Sequence, residues 1–331
     1  MQKTIVNQKQ ENQRADKFVL KLLGKAPKSF IYKMFRKKNI LLNNKKIIGN
    51  EILKQGDEIT FYLAEETYEK FQTELKPLFD FENKDKAQGF IEKKSSEKLS
   101  IIYEDEELFV CNKPSGMLSQ PDGKSISLVN QIEAYLGTEK GFKPGICNRL
   151  DRNTSGIVIA GKSIKALQVI NKIIAEKNAE KKYLTIVMGV IKDTLILEEY
   201  LLKDHKLNKV SINSKEGSYV KTIASPLQNN GEFTLLEVII ETGKSHQIRA
   251  QLAARGFPLI GDFKYGNSNI NQLFLKKYGL KNQLLHAYKF GIVKSYEPFL
   301  YWRGMQFVAP LPQQFENILK GLGLKVTNEN N

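Results

Sequence analysis

The chain has 331 residues, and its 51 Lys and Arg outnumber its 36 Asp and Glu, which gives a net charge of +15. This length suits two domains that each bury a core, and the basic balance makes polyanions the expected partners. Two cysteines and three histidines lack the spacing of a disulfide framework or a metal site. No apolar run reaches the length of a membrane span, and no signal-peptide core is visible, so a cytoplasmic protein is expected.

Positive charge is concentrated at the front of the chain, where residues 1–63 hold 14 Lys and Arg against 5 acidic residues, a net +9. Residues 14–23 have the pattern of a short amphipathic helix, and a second helix is expected to begin at Pro27. Residues 40–48 predict a hairpin and residues 58–63 a final strand. The front of the chain is therefore predicted to be a small basic domain.

In the second helix, Ile31, Met34 and Phe35 follow the i, i+3, i+4 rule and are expected to face the core. The cations of this helix are expected on its other surfaces, where they form either a solvated face or a set of phosphate contacts. Their clustering in one small basic domain favours phosphate contacts. The candidate RNA-binding residues are Lys28, Tyr32, Lys33, Arg36, Lys37 and Lys38.

Residues 64–98 mix both charges with scattered aromatic residues and are predicted to be a linker, partly helical near 65–71. From residue 99 the pattern changes to short strands with turn residues between them. The best predicted strands are 101–105, 108–112, 157–160, 183–188 and 235–240, and the best predicted helices are 127–136, 164–177 and 245–255. This mixture indicates an α+β domain over 99–325 with a largely antiparallel sheet. Residues 326–331 are predicted to be a frayed tail.

The stretch NRLDRNTSG, residues 148–156, places Asp151 between Arg149 and Arg152 in a polar turn. The apolar run that follows predicts that this turn ends at a buried strand, a common place for catalytic groups. Neighbouring guanidinium groups favour the charged form of a carboxylate, which suits a nucleophile or a base. A structural ion pair explains the same residues, so the local pattern leaves both interpretations open.

Residues 156–163, GIVIAGKS, match the letter of the P-loop pattern. A P-loop must be a flexible loop between a strand and a helix, whereas Ile, Val, Ile and Ala are typical of a buried strand. A nucleotide site is therefore not expected here.

Several motifs in order resemble the RluA group of RNA pseudouridine synthases, the RluC and RluD type. The resemblance includes the stretch around Asp151, NKPSG at 112–116, KKYLTIV at 181–187, GKSHQIR at 243–249 and GFPLIGDFKYG at 256–266. The front of the chain resembles the αL-type RNA-binding domain of ribosomal proteins that is common in these enzymes. The resemblance implies a pseudouridine synthase domain with a mainly antiparallel mixed sheet flanked by helices.

The resemblance implies that Asp151 is the catalytic residue, that Tyr183 packs on the target uracil and that Arg249 pairs with the aspartate, with Arg149 also on the substrate side. The chain departs from the usual residues at Asn148 (His), Lys244 (Arg) and Gln251 (His). The implied substrate is large-subunit ribosomal RNA, which would make the chain an isomerase of rRNA processing and ribosome biogenesis. The isomerisation needs no cofactor or metal, and a monomer without membrane or nucleotide partners is expected.

Two other classes of function remain as alternatives. A non-catalytic RNA-binding or ribosome-assembly factor could keep this fold, although the joint presence of Asp151, Tyr183 and Arg249 argues against it. A P-loop NTPase would require nucleotide binding that depends on Lys162.

Overall fold

The structure is a computed structural model that describes residues 1–73, 99–139, 141–204, 209–213 and 216–326. Most of the predicted linker, from residue 74 to 98, lies outside the described residues, as does the predicted tail from 327 onward. In the described part of the chain, two separate β-sheets organise the fold.

The front of the chain forms a four-stranded antiparallel sheet in the order β1-β4-β2-β3 with helices beside it. The strands are β1 (Gln2–Ile5), β2 (Ile40–Leu42), β3 (Lys45–Lys46) and β4 (Glu58–Phe61). The helices are α1 (Ala15–Leu22), α2 (Lys28–Arg36) and α3 (Glu65–Phe71). Asn43 and Asn44 both adopt positive φ, 49° and 61°, as the tight two-residue turn between β2 and β3 requires.

This front unit has its own hydrophobic core, in which Phe18, Ile31 and Phe61 are fully buried. Helix α3 belongs to the same core, because the Tyr68 ring lies 5.3 Å from that of Phe61 and the Phe71 ring packs on Phe30. The front unit thus includes α3, which lies within the first part of the predicted linker. The sequence did not predict β1, whose residues pair with β4.

The rest of the chain is organised by an eleven-stranded sheet with the main order β11-β10-β12-β13-β9-β14-β8-β6-β5. Strand β15 pairs with β14, and β7 pairs with β8. Among the described residues, every strand pair of this sheet is antiparallel except β14 with β8. The strands are β5 (Ser100–Glu104), β6 (Leu108–Lys113), β7 (Gly145–Ile146), β8 (Ser155–Gly161), β9 (Ala179–Met188), β10 (Leu195–Asp204), β11 (Lys209–Asn213), β12 (Ser218–Asn229), β13 (Phe233–Ile240), β14 (Leu285–Ile292) and β15 (Gln306–Val308).

Helices flank this sheet on apolar cores. They are α4 (Leu128–Leu136), α5 (Ile164–Ala175), α6 (Gln247–Ala254), α7 (Ser268–Tyr278) and α8 (Gln313–Leu322), with a short 3₁₀ helix over Leu300–Trp302. One core contains Val158, Tyr183 and Ile248, and another lies around Ile159 and Trp302. Among the described residues no helix combines the length and apolarity that a bilayer crossing requires. The predicted α+β class with a mainly antiparallel mixed sheet is confirmed.

The predicted strands and helices from residue 99 onward all form, with bounds shifted by a few residues. The sequence did not predict β10, β12 or β14. Strand β10 alternates buried apolar residues with exposed ones such as Glu198, and β12 contains Pro226 at a register shift. A proline within an apolar segment argues against a strand, so the composition of β12 did not indicate a strand. Pairing with the neighbouring strands stabilises it.

Candidate active site

Asp151 lies in the turn that leads into β8, a strand whose seven residues are all buried. The first residues of β8 run parallel to β14, with Gly156 paired to Ala287. Gly156 has φ of +117°, and a Cβ there would lie 2.2 Å from the Ala287 carbonyl oxygen. Glycine is therefore required at this point for β8 to approach β14 and for the turn to keep its position.

A buried lysine, Lys113, stabilises the Asp151 turn through hydrogen bonds to backbone carbonyls. The Nζ atom of Lys113, which is fully buried, donates to the carbonyls of Pro114, Met117 and Arg152 at 2.9, 2.9 and 3.1 Å. Burial lowers the pKa of Lys113 to about 7, while the charge of Asp151 opposes that shift. Gly116 adds a backbone bond from its N–H to the Arg152 carbonyl, 2.9 Å. The residues of the NKPSG motif thus fix the loop that carries Asp151.

Asn148 stands where the resembled family usually has His, and its side chain is tied to β8. Its Nδ2 donates to the Ile157 carbonyl at 2.9 Å, and its Oδ1 accepts from the Ile159 N–H at 2.9 Å. These two bonds align the start of the motif with the strand. The amide therefore acts as a brace for the turn at this position.

Arg249 connects Asp151 to a second carboxylate. Its Nη1 donates to Asp151 Oδ2 at 2.8 Å, and its Nε and Nη2 bind the two oxygens of Asp262 at 2.7 and 2.9 Å. The Asp262 side chain is fully buried and that of Arg249 is 9% exposed. Burial alone would lower the pKa of Arg249, but the two carboxylates raise it overall. Burial pushes the pKa of Asp262 up, yet the guanidinium lowers it, so the pair is ionised.

His246 faces the same oxygen of Asp151 from the start of α6. Its Nε2 lies 3.8 Å from Asp151 Oδ2, and its Nδ1 lies 2.8 Å from the hydroxyl of Tyr265. That hydroxyl also accepts the Val210 N–H at 2.7 Å, so Tyr265 ties His246 to β11. Burial lowers the pKa of His246, which leaves a neutral ring whose Nε2 faces the aspartate.

The start of helix α6 differs from the prediction. The sequence predicts Ser245 at the helix start, but the helix begins at Gln247, and His246 precedes it in the left-handed region with φ of 56°. This conformation is uncommon for a residue other than glycine or asparagine. It turns the imidazole away from the helix and toward Asp151 and Tyr265.

The charges beside Asp151 in the sequence are not the charges beside it in space. Among the described residues, Asp151 forms an ion pair with Arg249, and the neutral ring of His246 lies 3.8 Å from the same oxygen. Arg149 instead donates to Gln120 Oε1 at 3.2 Å, and Arg152 donates from Nε to the Gly116 carbonyl at 3.0 Å. Among the described residues the two flanking guanidinium groups therefore form no direct ion pair with the carboxylate, and each binds a different partner.

A cavity of about 590 Å³ opens beside Asp151. The sequence-predicted residues Arg149, Tyr183 and Arg249 all line it, together with the apolar side chains of Ile248 and Leu285. Tyr183 lies in β9 and is 9% exposed. Burial, aided by the charge of Asp151, raises the pKa of Tyr183, so the phenol is neutral. The structure thus brings together four residues that are spread over 101 positions of the chain, from 149 to 249.

Two further departures from the resembled motif have different surroundings. Lys244 is exposed and lines the cavity. Gln251 is fully buried, where it accepts from Thr222 Oγ1 at 2.6 Å and donates to Glu199 Oε2 at 2.8 Å. Gln251 therefore joins α6 to β10 and β12 and lies inside the protein, while Lys244 is available to a ligand.

Residues 156–163, which match the P-loop pattern, lie mostly in a strand, as their apolar composition predicted. Strand β8 spans Ser155–Gly161, inside the pattern, and Ser163 caps the helix that follows. The Nζ of Lys162 donates to Glu104 Oε1 at 2.8 Å and to the Asp105 carbonyl. A buried strand cannot curl around phosphates, so this segment is not a P-loop.

Sequence patterns did not assign Asp262 or His246 to the site. Asp262 follows Gly261 in the 256–266 motif, and Gly261 has a positive φ of 77°. The Gly-Asp pair was the sequence feature that could have indicated a turn with a functional carboxylate. Its partner Arg249 lies 13 residues away on α6. Only the folded chain shows that the two form a bidentate pair.

Comparisons with known proteins identify the family of this chain. The RNA pseudouridylate synthase family model matches residues 107–254. The chain is 31% identical to an uncharacterized RNA pseudouridine synthase of Mycoplasma genitalium, over 96% of this chain and 98% of that protein. It is 30% identical to a ribosomal large subunit pseudouridine synthase C of Buchnera aphidicola, over 96% of each.

A solved structure, human RNA pseudouridylate synthase domain containing 4, shares the fold with a TM-score of 0.57 and 22% identity, covering 69% of this chain and 95% of that one. The family model and these relatives identify the chain as an RNA-modifying isomerase. The chain belongs to the RNA pseudouridine synthase family, of the RluA type that its motifs resemble. Its substrate is RNA, and its activity is the isomerisation of uridine to pseudouridine.

Proposed function

We propose that Asp151 is the catalytic residue of this enzyme and that its natural substrate is large-subunit ribosomal RNA. The observation that carries the first part is the fixed carboxylate: Oδ2 is bonded by Arg249 and faced by His246. Within the described part of the chain, Oδ1 of Asp151 has no hydrogen-bond or ion-pair partner. One oxygen is thus held by the protein and the other is available to a substrate.

Isomerisation of uridine to pseudouridine adds no atom to the substrate, so the groups at Asp151 need to supply only nucleophilic or acid–base chemistry. The bond between the ribose carbon and uracil N1 breaks, the base rotates, and the ribose carbon bonds to uracil C5, while C5 loses a proton and N1 gains one. A carboxylate with one available oxygen can begin this sequence as a nucleophile on the sugar or as a base on a sugar proton. The bonds to Oδ2 keep the group in place during either step.

The cavity beside Asp151 suits a nucleoside taken out of its helix. Tyr183, Ile248 and Leu285 supply an apolar and aromatic lining on which a uracil ring can pack. Arg149 and Lys244, both exposed at this cavity, supply positive charge for the backbone phosphates. Extrusion of the base costs a few kcal/mol, which stacking and hydrogen bonds in the cavity offset.

The front of the chain, residues 1–63, is proposed as an αL-type RNA-binding domain, which residues 64–98 connect to a catalytic domain over 99–325. Five exposed cations of one region support this role: Lys28, Lys33, Arg36, Lys37 and Lys38. Among the described residues none of these five forms an ion pair with a carboxylate. Tyr32 is 37% exposed and donates its hydroxyl to Asp16 Oδ2 at 2.6 Å, so its ring rather than its hydroxyl is available to RNA.

The relative from Buchnera aphidicola supports the ribosomal substrate, because it is named a large-subunit synthase and matches almost end to end. The test is to map pseudouridines by chemical labelling and primer extension in a strain that lacks this protein. Loss of defined large-subunit sites, restored by the wild-type gene and not by Asp151→Ala, is expected. Losses confined to transfer RNA would reject the ribosomal substrate, and restoration by Asp151→Ala would reject the catalytic role.

A further inference from the structure

Asp151 borders two cavities. The first contains Tyr183, and a second of about 590 Å³ shares Asp151, His246 and Arg249 with it but extends to Phe263 and Lys264. Tyr183 does not line this second cavity. An RNA strand is longer than one nucleotide, so a target base beside Tyr183 leaves the second cavity open to another part of the same strand.

Phe263 is exposed in a way that the fold itself does not require. Its side chain is 60% exposed, and in the described part of the chain it is the one phenylalanine that is not buried or half-buried. Single exposed apolar residues are common on protein surfaces, but this ring borders a cavity that also contains Asp151, which makes it a candidate contact for a ligand. A planar, uncharged ring can stack on any nucleobase.

The turn that carries Phe263 is rigid and fixed relative to Asp151. The N–H groups of Lys264 and Tyr265 donate to Asp262 Oδ1 at 2.9 and 3.1 Å, and the same carboxylate binds Arg249. Arg249 in turn holds Asp151. Phe263 is thus one residue away from an anchor that also positions the carboxylate, so the backbone that carries its ring is fixed relative to Asp151 before any ligand binds.

Positive charge surrounds this ring. Arg152, which is exposed, and Lys264 line the same cavity, and Asn153 and Gln283 add amide groups. This combination of a flat apolar face, cations and amides matches a nucleotide with its base, its phosphates and its polar base edge. An apolar peptide would match only the ring, whereas a nucleotide matches the ring, the cations and the amides.

We propose that Phe263 is a stacking platform for a nucleobase adjacent to the target uridine, with Arg152 and Lys264 at its phosphates. This subsite rests on the proposed function in one respect, since it assigns the Tyr183 cavity to the target uridine. It would make the enzyme sensitive to the conformation of the nucleotide beside its target. Stacking tolerates any base, so the platform would select an unstacked neighbour more than a particular sequence.

The test is a double-mutant cycle between Phe263 and the neighbouring bases. The probe is a hairpin RNA that the wild-type enzyme modifies, whichever RNA that is, prepared intact and with an abasic nucleotide on either side of the target. Affinity is measured in an Asp151→Ala background so that no turnover occurs. Phe263→Ala should weaken binding of the intact hairpin about 5- to 100-fold, and Phe263→Trp should retain it.

The abasic substitution on one side should weaken RNA binding by a similar factor in the protein that keeps Phe263. It should leave the affinity of the Phe263→Ala protein almost unchanged. Tyr301→Ala is the control, because Tyr301 is 59% exposed and borders neither cavity. Unchanged affinity of Phe263→Ala, or equal abasic losses in both proteins, would overturn the proposal. Activity that survives Asp151→Ala would instead reject the catalytic role, and a modified RNA other than ribosomal RNA would reject the ribosomal substrate.

Discussion

Asp262 holds Arg249 through both of its carboxylate oxygens, with Nε at 2.7 Å and Nη2 at 2.9 Å. The third bonding nitrogen, Nη1, reaches Asp151. The orientation of the guanidinium, and with it that of the proposed catalytic carboxylate, is therefore set by a residue that does not contact the cavity beside Tyr183.

Replacing Asp262 with Asn should damage both folding and catalysis. It leaves a buried guanidinium with one remaining carboxylate, and breaking a buried pair of this kind costs about 3–5 kcal/mol. We expect the free energy of unfolding in urea to fall by this order and kcat to fall more than KM rises. The control is Glu198→Gln, which removes an exposed pair with Lys221 and should change neither quantity. Wild-type stability and kcat in Asp262→Asn would contradict the role assigned to this pair.

Tyr265→Phe tests whether the imidazole of His246 is oriented for Asp151. The substitution removes the hydroxyl bonded to Nδ1 but keeps the ring whose centroid lies 5.2 Å from the Arg249 guanidinium carbon. The hydroxyl makes two hydrogen bonds, with Nδ1 and with the Val210 N–H, and loss of the one that orients His246 predicts a fall in kcat of about five- to tenfold with KM little changed. A change in KM alone, at constant kcat, would show that Tyr265 contacts the substrate and does not position His246.

The front cations should control the salt dependence of RNA binding. We expect Arg36→Gln with Lys37→Gln to weaken binding and to reduce the slope of log Kd against log salt by about 0.7–0.9 for each phosphate that the protein no longer neutralises. Lys45→Gln with Lys46→Gln removes the same charge from β3 and serves as the matched control. Equal effects of the two double variants would show that net charge, and not the α2 surface, determines the affinity.

His286 should make the fold sensitive to acid. It is fully buried, with Nδ1 2.8 Å from Ser155 Oγ and Nε2 3.3 Å from the Ala309 carbonyl, and burial lowers its pKa to about 4. Because the unfolded chain binds a proton near pH 6.5 and the folded chain does not, stability is full above that pH and falls as the pH drops toward 4.

Between pH 8 and pH 5 this group should remove about 2 kcal/mol from the free energy of unfolding, measured in urea. His286→Gln can still bond to Ser155 but cannot titrate, so its loss over the same range should be smaller by that amount. Equal losses in the two proteins would show that other groups cause the acid sensitivity.

The sequence predicted those elements that residues adjacent in the chain determine. The all-apolar run after residue 156 indicated a buried strand and excluded a P-loop, and β8 is that strand. The positions of Ile31, Met34 and Phe35 predicted which face of α2 is buried, and all three are buried. Strand β10 was missed because its exposed residues Ile196, Tyr200 and Leu202 are apolar, so its sequence lacks the alternation of apolar and polar residues that marks a half-buried strand.

The site was predicted unevenly for the same reason. Asp151 and its turn form one continuous motif, whereas its ion-pair partner Arg249 lies 98 residues away. Nearness in sequence suggested Arg149 and Arg152 as the partners, and the turn directs both elsewhere. Asp262 and His246 became visible only when α6 and the turn after it were placed against the sheet.

The most direct test is the release of tritium from RNA labelled at uracil C5, measured with wild-type enzyme and with Asp151→Asn. Isomerisation replaces the C5–H bond with a bond to ribose, so wild-type enzyme should release one tritium for each pseudouridine formed. Asp151→Asn should bind the RNA within a few-fold of wild type and release tritium at least about a hundredfold more slowly. Release at the wild-type rate would contradict the assignment of Asp151 as the catalytic residue.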